Sequence, residues 1–313
     1  MDEPNTPCSA HALNPSSVAL SVLAPAHNEE DNVDALVREV HAALVPTGLC
    51  FEFVLVDDGS TDSTRVKTLE LMATRPWLRL VAMTQTPLGK GNGQSAAFYA
   101  GFRACRGARI AVLDADLQND PADIPAMLAL MDAQRADLVQ GDRSHARKDN
   151  VVRRVGSRVG RLFRRRLLGD TIRDTGCSLR IMKREVALLI PLEFKGMHRF
   201  IPVSARHLGF KVIEMPVRHR PRVAGTTKYG FGILQRALPG LLDLLVVRWM
   251  RARRRPVDSI EVSTLHPATI NPATIDPAII DPATIDPATA SRSTTGVHSE
   301  AKPSKAAAGT LHA

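Results

Sequence analysis

Asp114 and Asp116 stand one residue apart at the end of an apolar run, Arg109-Ile110-Ala111-Val112-Leu113. Such a run reads as a buried strand, and extended backbone would turn both carboxylates to one side. Acids paired at the carboxyl end of a strand suit a hard divalent ion, Mg²⁺ or Mn²⁺, that also grips a ligand's phosphates. Two solvated aspartates in a turn are the plain alternative. Two further polar clusters close apolar runs. Ala24-Pro25-Ala26-His27-Asn28-Glu29-Glu30 follows the first, and Val56-Asp57-Asp58-Gly59-Ser60-Thr61-Asp62 follows the second.

The elements that must carry these clusters alternate. Val18 to Ala24 reads as a strand, and Asn28 as the cap of a helix running to Leu44, with Glu29 and Glu30 in its first turn. Phe51 to Val56 is a second strand, followed by a helix over about Asp62 to Ala73. Leu78 to Met83 is a third strand. Gly89-Lys90-Gly91-Asn92-Gly93-Gln94-Ser95 then opens a helix over about Ser95 to Ala104. This stretch is neither a Walker loop nor a GxGxxG turn. Its amides either face phosphate at a helix start or belong to a plain flexible loop. The alternation predicts an α/β fold, a mostly parallel sheet with helices on both faces and its site at the carboxyl ends of the strands.

The 313 residues carry a net charge of +9, which points to an anionic partner. The four cysteines show no zinc spacing; Cys50 and Cys105 read as reduced core thiols, which suits a cytosol. Residues 1–17 read as a flexible arm without a signal-peptide pattern, and no apolar run is long enough to span a bilayer. Arg143 to Arg184 holds fourteen Arg or Lys against three Asp. Val152, Val155, Val159, Leu162 and Phe163 fall at helical spacing there, and Ile233 to Met250 is a second amphipathic stretch ending in Arg251-Ala252-Arg253-Arg254-Arg255. Such helices lie either in the headgroup layer of anionic lipid or on the core with a solvated basic face. From Pro256 a five-residue repeat, as in Pro267-Ala268-Thr269-Ile270-Asn271, breaks regular helix, so 256–313 reads as a disordered tail.

Taken together, the motifs closely resemble the family 2 glycosyltransferases of GT-A fold and, within them, the dolichyl- or polyprenyl-phosphate sugar synthases. The resemblance spans about 18–255, with a nucleotide-sugar half to about 140 and an acceptor and membrane half beyond. It implies that Pro25, Asn28, Glu29, Asp57, Asp58, Gly93 and Asp114 line the nucleotide-sugar pocket. His27 stands where the family more often has an aromatic, and it either stacks on the base or packs. The resemblance also implies that Asp114, Asp116 and Gln118 surround the metal. Gly141-Asp142-Arg143 matches an acceptor-side Gly-x-Arg. Asp174-Thr175-Gly176-Cys177-Ser178-Leu179-Arg180 matches Asp-Thr-Gly/Ser-x-x-x-Arg, with Cys177 and Leu179 departing from it. Arg222-Val223-Ala224-Gly225-Thr226-Thr227-Lys228 matches Arg-x-x-Gly-x-Ser-Lys, with Thr227 for Ser. Arg143, Arg180, Arg222, Thr227 and Lys228 are thereby expected on the acceptor phosphate, and Asp116, Asp174, Arg143, Arg222 and Lys228 in catalysis.

The implied activity is inverting, metal-dependent transfer of a hexose, mannose or glucose, from GDP- or UDP-sugar to a polyprenyl or dolichyl phosphate. The expected place is the cytosolic face of a membrane, held peripherally on anionic lipid or through a homo-oligomer or membrane-protein partner. The alternative within the family is a saccharide or glycolipid hydroxyl as acceptor in cell-envelope polysaccharide synthesis. A nucleotidyltransferase would need a Gly-rich, Lys-bearing loop where Pro25 to Glu30 stands. Nucleic acid is not an expected partner, because two Trp and two Tyr give few stacking platforms.

Overall fold

The computed structural model describes residues 18–87, 89–145, 151–221 and 233–255, with the side chains of 151–158 and 233–239 left aside. The chain divides into Met1–Arg255 and Pro256–Ala313. The expected arm, the repeat tail, and Arg222, Thr227 and Lys228 lie outside the described residues.

The first unit is built on a seven-stranded sheet in the order β3-β2-β1-β4-β6-β5-β7. Its strands are β1 (Leu20–Ala26), β2 (Phe51–Asp57), β3 (Leu78–Ala82), β4 (Arg109–Val112), β5 (Leu138–Asp142), β6 (Arg180–Lys183) and β7 (Val212–Pro216). β1 to β4 run parallel, and β5 pairs parallel with β7. β6 runs antiparallel to both of its neighbours, β4 and β5. That reversal has a direct effect on the site. The loop that enters β6 lands on the same rim as the loops that leave β4 and β5.

Alternation along the strands sends side chains to two cores. Val22, Phe53 and Leu55 join α1 (Val33–Leu44) and α4 (Ile124–Ala133) on one face. Leu23, Val54 and Val56 join α3 (Gln94–Ala104), α6 (Arg184–Leu189), α7 (Ile201–His207) and α8 (Ile233–Arg253) on the other. α2 (Thr64–Met72) adds Leu71 and Met72 to the first face. The doubly covered sheet matches expectation. β4 stops at Val112, however, and Asp114 lies just beyond it. Ala115 and Asp116 form a turn, and Leu117 takes φ 60°.

At the amino-end rim a fully buried carboxylate ties three strands together. Glu52 accepts from Ser21 Oγ at 2.6 Å, from Arg106 N at 2.6 Å and from Arg79 Nη1 at 2.7 Å. Ser21 Oγ in turn accepts from Gly107 N. A buried charge persists only when its lone pairs are satisfied in this way. Beside it Cys105 is free, and burial pushes its thiol up to about 12. Cys50, the other cysteine expected in the core, is only half-buried, just ahead of β2.

α5 (Val151–Leu168) and α8 lie against each other. Arg248 and Arg251 of α8 donate to the last carbonyls of α5, at Leu167 and Leu168. Val159, Leu162 and Phe163 of α5 are exposed, as are Leu242, Leu245, Val246 and Trp249 of α8. Their spacing of three and four makes each set one stripe of its helix. Among the described residues no helix is long and apolar enough to cross a membrane.

Candidate functional site

The loops after β1 and β2 are laced to each other. Asn28 Oδ1 accepts from Thr61 N, and Asn28 N donates to Ser60 Oγ. Asn28 itself takes φ 55°. It does not cap α1, which begins at Val33 after Asn32, because its side chain is spent across the loop. Glu29 N donates to Thr64 Oγ1 at 2.8 Å, and Glu29 Oε2 accepts from Asn32. Pro25 lies within β1 beside this pair of loops. His27 Nδ1 donates to the carbonyl of Asp58 at 2.8 Å, so this ring is fixed to the backbone.

Asp57 is fully buried at the tip of β2. Its two oxygens accept from Ser60 N and from Arg65 Nε at 2.6 Å. Asp58 works on a different loop. Its oxygens accept from Asn92 N at 2.8 Å and Gly93 N at 2.7 Å. Glycine is required beside it. A Cβ on Gly91 would come within 2.6 Å of the Asp58 carboxylate, and Gly93 takes φ 92°. The Gly-rich stretch is therefore a clamped turn that delivers α3 with its first amides at the site.

The first residue of that helix meets the acidic pair. Gln94 Nε2 donates to Asp114 Oδ1 at 2.7 Å, and Ser178 Oγ donates to Asp114 Oδ2 at 2.5 Å. Burial pushes the Asp114 carboxyl up, and Asp116 adds to the push. Ser178, Arg143 and Arg180 pull the other way. Asp116 is 8% exposed, and its Oδ1 accepts from Gln118 N. Asp114, Asp116 and Gln118 thus share one turn. Among the described residues no group of three His, Cys, Asp or Glu side chains could hold a metal by itself. The donor set is one pair of acids whose charges oppose each other. That fits an ion completed by a ligand's phosphates, the usual arrangement for Mg²⁺.

On the far side of the turn lies the loop that enters β6. Arg143 Nε donates to Asp174 Oδ2 at 2.8 Å, and Arg143 Nη2 to Gly176 O at 2.5 Å. Asp174 Oδ1 accepts from Gly176 N. Burial disfavours the Arg143 charge, yet Asp174, Cys177 and Asp114 around it hold the guanidinium above its ordinary value. Arg180 differs from the open, acceptor-facing residue expected. It is 2% exposed and donates to the carbonyls of Ser178, His198 and Cys177. Burial brings it down to about 10. Cys177 is a free thiol, raised to about 11 by burial.

Gln94, Ser178 and His198 were not singled out from sequence. Ser178 lies inside the Asp174–Arg180 element, and Gln94 closes the Gly-rich stretch, so their neighbourhoods were marked. His198 had no local signal. Its N donates to Ser95 Oγ, and the Ser95 hydroxyl is hydrogen-bonded to its Nδ1 at 2.9 Å. Burial, with Arg199 and Arg180 nearby, brings the imidazole down to about 3, so it is neutral at ordinary pH. Two residues earlier, a Cβ on Gly196 would meet Asp243 of α8 at 2.7 Å. α8 thus borders the segment that props α3.

The chain leaving β7 runs along the acidic turn. Arg220 N donates to Gln118 O, and Asn119 bridges to His219. Arg218 and Arg220 pair with Asp120, and Arg220 also reaches Glu39. Burial alone would raise Asp120; Ala122 N–H and the two arginines hold it below the usual carboxylate range. The described chain thus passes Gln118 just before Pro221.

Known proteins share this sequence and this fold. Dodecaprenyl-phosphate galacturonate synthase of Rhizobium johnstonii is 37% identical over 243 residues, 77% of this chain and 70% of the relative. Undecaprenyl-phosphate 4-deoxy-4-formamido-L-arabinose transferase of Edwardsiella ictaluri is 36% identical over 233 residues, 74% of this chain and 70% of the relative. Among solved structures, glucosyl-3-phosphoglycerate synthase of Mycobacterium tuberculosis, in complex with Mn²⁺, UDP and glucosyl-3-phosphoglycerate, superposes with a TM-score of 0.54. At 20% identity, over 74% of this chain and 80% of that one, it shows a shared GT-A fold. The model of glycosyl transferase family 2 matches residues 21–188. With that match, and with relatives above a third identical over most of its length, the chain belongs to glycosyl transferase family 2.

Proposed function

We propose that the chain is an inverting, metal-dependent transferase that moves a sugar from a nucleoside diphosphate, GDP or UDP, onto a polyprenyl phosphate at the cytosolic face of a membrane. One observation carries this reading. The acidic pair, Asp114 and Asp116, shares a rim with the Arg143–Asp174 pair, and α5, whose outer face carries exposed Val159, Leu162 and Phe163, reaches the Asp174 loop through Arg164 and Thr175. The relatives named above are, by their names, polyprenyl-phosphate sugar transferases.

The roles follow from the contacts. Asp57, Asn28 and Glu29, with Pro25, shape the nucleotide pocket by fixing the two loops that form it. Asp58 and Gly93 hold the start of α3 toward the diphosphate. Asp116, with Asp114 beside it and Gln118 in the same turn, would hold Mg²⁺ or Mn²⁺. Such an ion offsets charge on a departing diphosphate. The acceptor phosphate has a second pKa of about 6 and is largely dianionic at neutral pH, so it attacks C1 from the opposite face without a base. Asp174 suits positioning better than proton transfer, because both of its oxygens are committed to Arg143 and Gly176. Arg143 is the cation that meets the acceptor phosphate, joined by Arg222, Thr227 and Lys228 from the segment after Pro221. Arg180 supports Asp114 from behind rather than touching the acceptor. The relatives' names favour galacturonate or a formamido-pentose over mannose or glucose.

The test uses the full chain, vesicles of anionic lipid bearing undecaprenyl phosphate, and Mn²⁺ or Mg²⁺. Radiolabelled donors are UDP-galacturonate, UDP-4-deoxy-4-formamido-L-arabinose, UDP-glucose and GDP-mannose. Label in an acid-labile lipid product, lost on chelation, is the expected result. Label on a soluble saccharide, with none in lipid from any donor, would overturn the acceptor.

A further inference from the structure

Among the described side chains of α5, Arg164 is the arginine that turns inward. Its neighbours Arg161, Arg165 and Arg166 are exposed, whereas Arg164 is mostly buried. Its Nη1 donates to Thr175 Oγ1 at 2.6 Å, and Nη2 reaches the carbonyl of Ile172 at 3.4 Å. Nε lies 3.3 Å from Oδ2 of Asp170, a carboxylate whose side chain is fully buried. Asp170 Oδ1 accepts from Ile172 N, which closes the loop on itself. Burial lowers the Arg164 pKa, and Asp170 opposes that fall.

The segment held in this way is the one that matters for the acceptor. Thr175 follows Asp174 directly, and Asp174 carries the ion pair with Arg143. One guanidinium therefore joins the helix bearing Leu162 and Phe163 to the loop bearing Asp174. Stability does not explain the choice of residue. A buried ion pair is often matched or bettered by apolar side chains of similar volume. Nor is the pair well aligned, since Arg164 Nε and Asp170 Oδ2 are buried without a hydrogen-bond partner despite their closeness. What a guanidinium supplies is a rigid planar fork that fixes several partners at once.

We propose that Arg164 is a positioning residue that holds the Asp174–Arg143 pair in register with the lipid-facing surface of α5. Resting on the polyprenyl-phosphate reading above, it places Arg143 where a phosphate carried in the membrane arrives. The donor side, built on β1, β2 and α3, is held by its own contacts, such as Asn28 to Thr61 and Asp58 to Gly93.

The test compares Arg164→Met, Arg164→Lys and Thr175→Val in the full chain. Vesicles of phosphatidylcholine and phosphatidylglycerol carry undecaprenyl phosphate. Arg164→Met should raise the acceptor KM about tenfold and leave the donor KM within about twofold. Arg164→Lys should recover part of the loss, and Thr175→Val should show the same split at smaller size. Hydrogen exchange supplies a readout that needs no turnover. Amides 170–177 should gain protection when vesicles are added to the unaltered chain, and Arg164→Met should lose that gain while still binding vesicles. Equal rises in both KM values, or unchanged exchange in Arg164→Met, would overturn the proposal. If the unaltered chain labels no lipid from any donor, the acceptor reading fails and exchange alone decides. No vesicle-dependent change at 170–177 then overturns the role of Arg164 as well. Should Arg164→Met not fold, Arg164→Lys and Thr175→Val carry both measurements.

Discussion

Ser178 Oγ donates to Asp114 Oδ2 across the join between β4 and the loop entering β6. With Gln94 on the other oxygen, it fixes the carboxylate that burial and Asp116 make costly to ionise. The sign of this effect is definite. The folded-state pKa of Asp114 lies above its unfolded value, so the native state binds the proton more tightly. Stability then falls as pH rises from the unfolded pKa through the folded one. Asp114→Asn removes the charge and keeps the shape. It should raise Tm by a few degrees at neutral pH without metal or nucleotide, while transfer is abolished. Differential scanning calorimetry beside the transfer assay checks both halves.

The Arg143–Asp174 pair is nearly enclosed, with side chains 13% and 6% exposed. Removing one partner leaves the other buried and uncompensated, at a cost of about 3–5 kcal/mol. Arg143→Met and Asp174→Leu should each lower the urea midpoint. The double variant should recover most of the stability but none of the activity. Recovery of activity with the double variant would deny Arg143 its place on the acceptor phosphate.

Asp58 acts on the nucleotide through the Gly-rich turn. Asp58→Asn leaves one oxygen for two amides, so about 1–2 kcal/mol of loop order is lost. Calorimetric titration of UDP and of GDP with Mn²⁺ should show the binding nucleotide weakened by about tenfold. Exchange at Asn92 and Gly93 should quicken in parallel.

Trp249 is 58% exposed, whereas Trp77 is buried. Tryptophan emission therefore reports on the α8 surface. Vesicles containing phosphatidylglycerol should shift it to the blue, neutral vesicles much less, and salt should weaken the response. Leu245→Glu should remove the shift. An unchanged spectrum with anionic vesicles would take α8 out of the membrane reading.

The frame of this molecule was legible where apolar runs end in polar clusters. β1, β2, β3 and β4 announce themselves in that way, and so does the acidic turn. β6 and β7 do not. β6 is Arg180-Ile181-Met182-Lys183, whose buried first residue, a cation, makes sense only once the carbonyls of Ser178, Cys177 and His198 surround it. The same holds for Asn28. It carries a strong capping residue type, but Thr61 and Ser60 on the next loop claim it first. The inward turn of Arg164 was hidden among outward arginines. Its partners Asp170 and Thr175 lie just past the end of the helix.

Glu52 rivets Ser21, Arg79 and Arg106 at the rim farthest from the acidic turn. The frame is thus secured at one edge and its chemistry is hung from the other. Segments between β1 and α1, or between β5 and β6, can be exchanged without loosening that rivet. A transplant of those segments from a relative with another donor should therefore change which sugar is handled before it changes whether the protein folds.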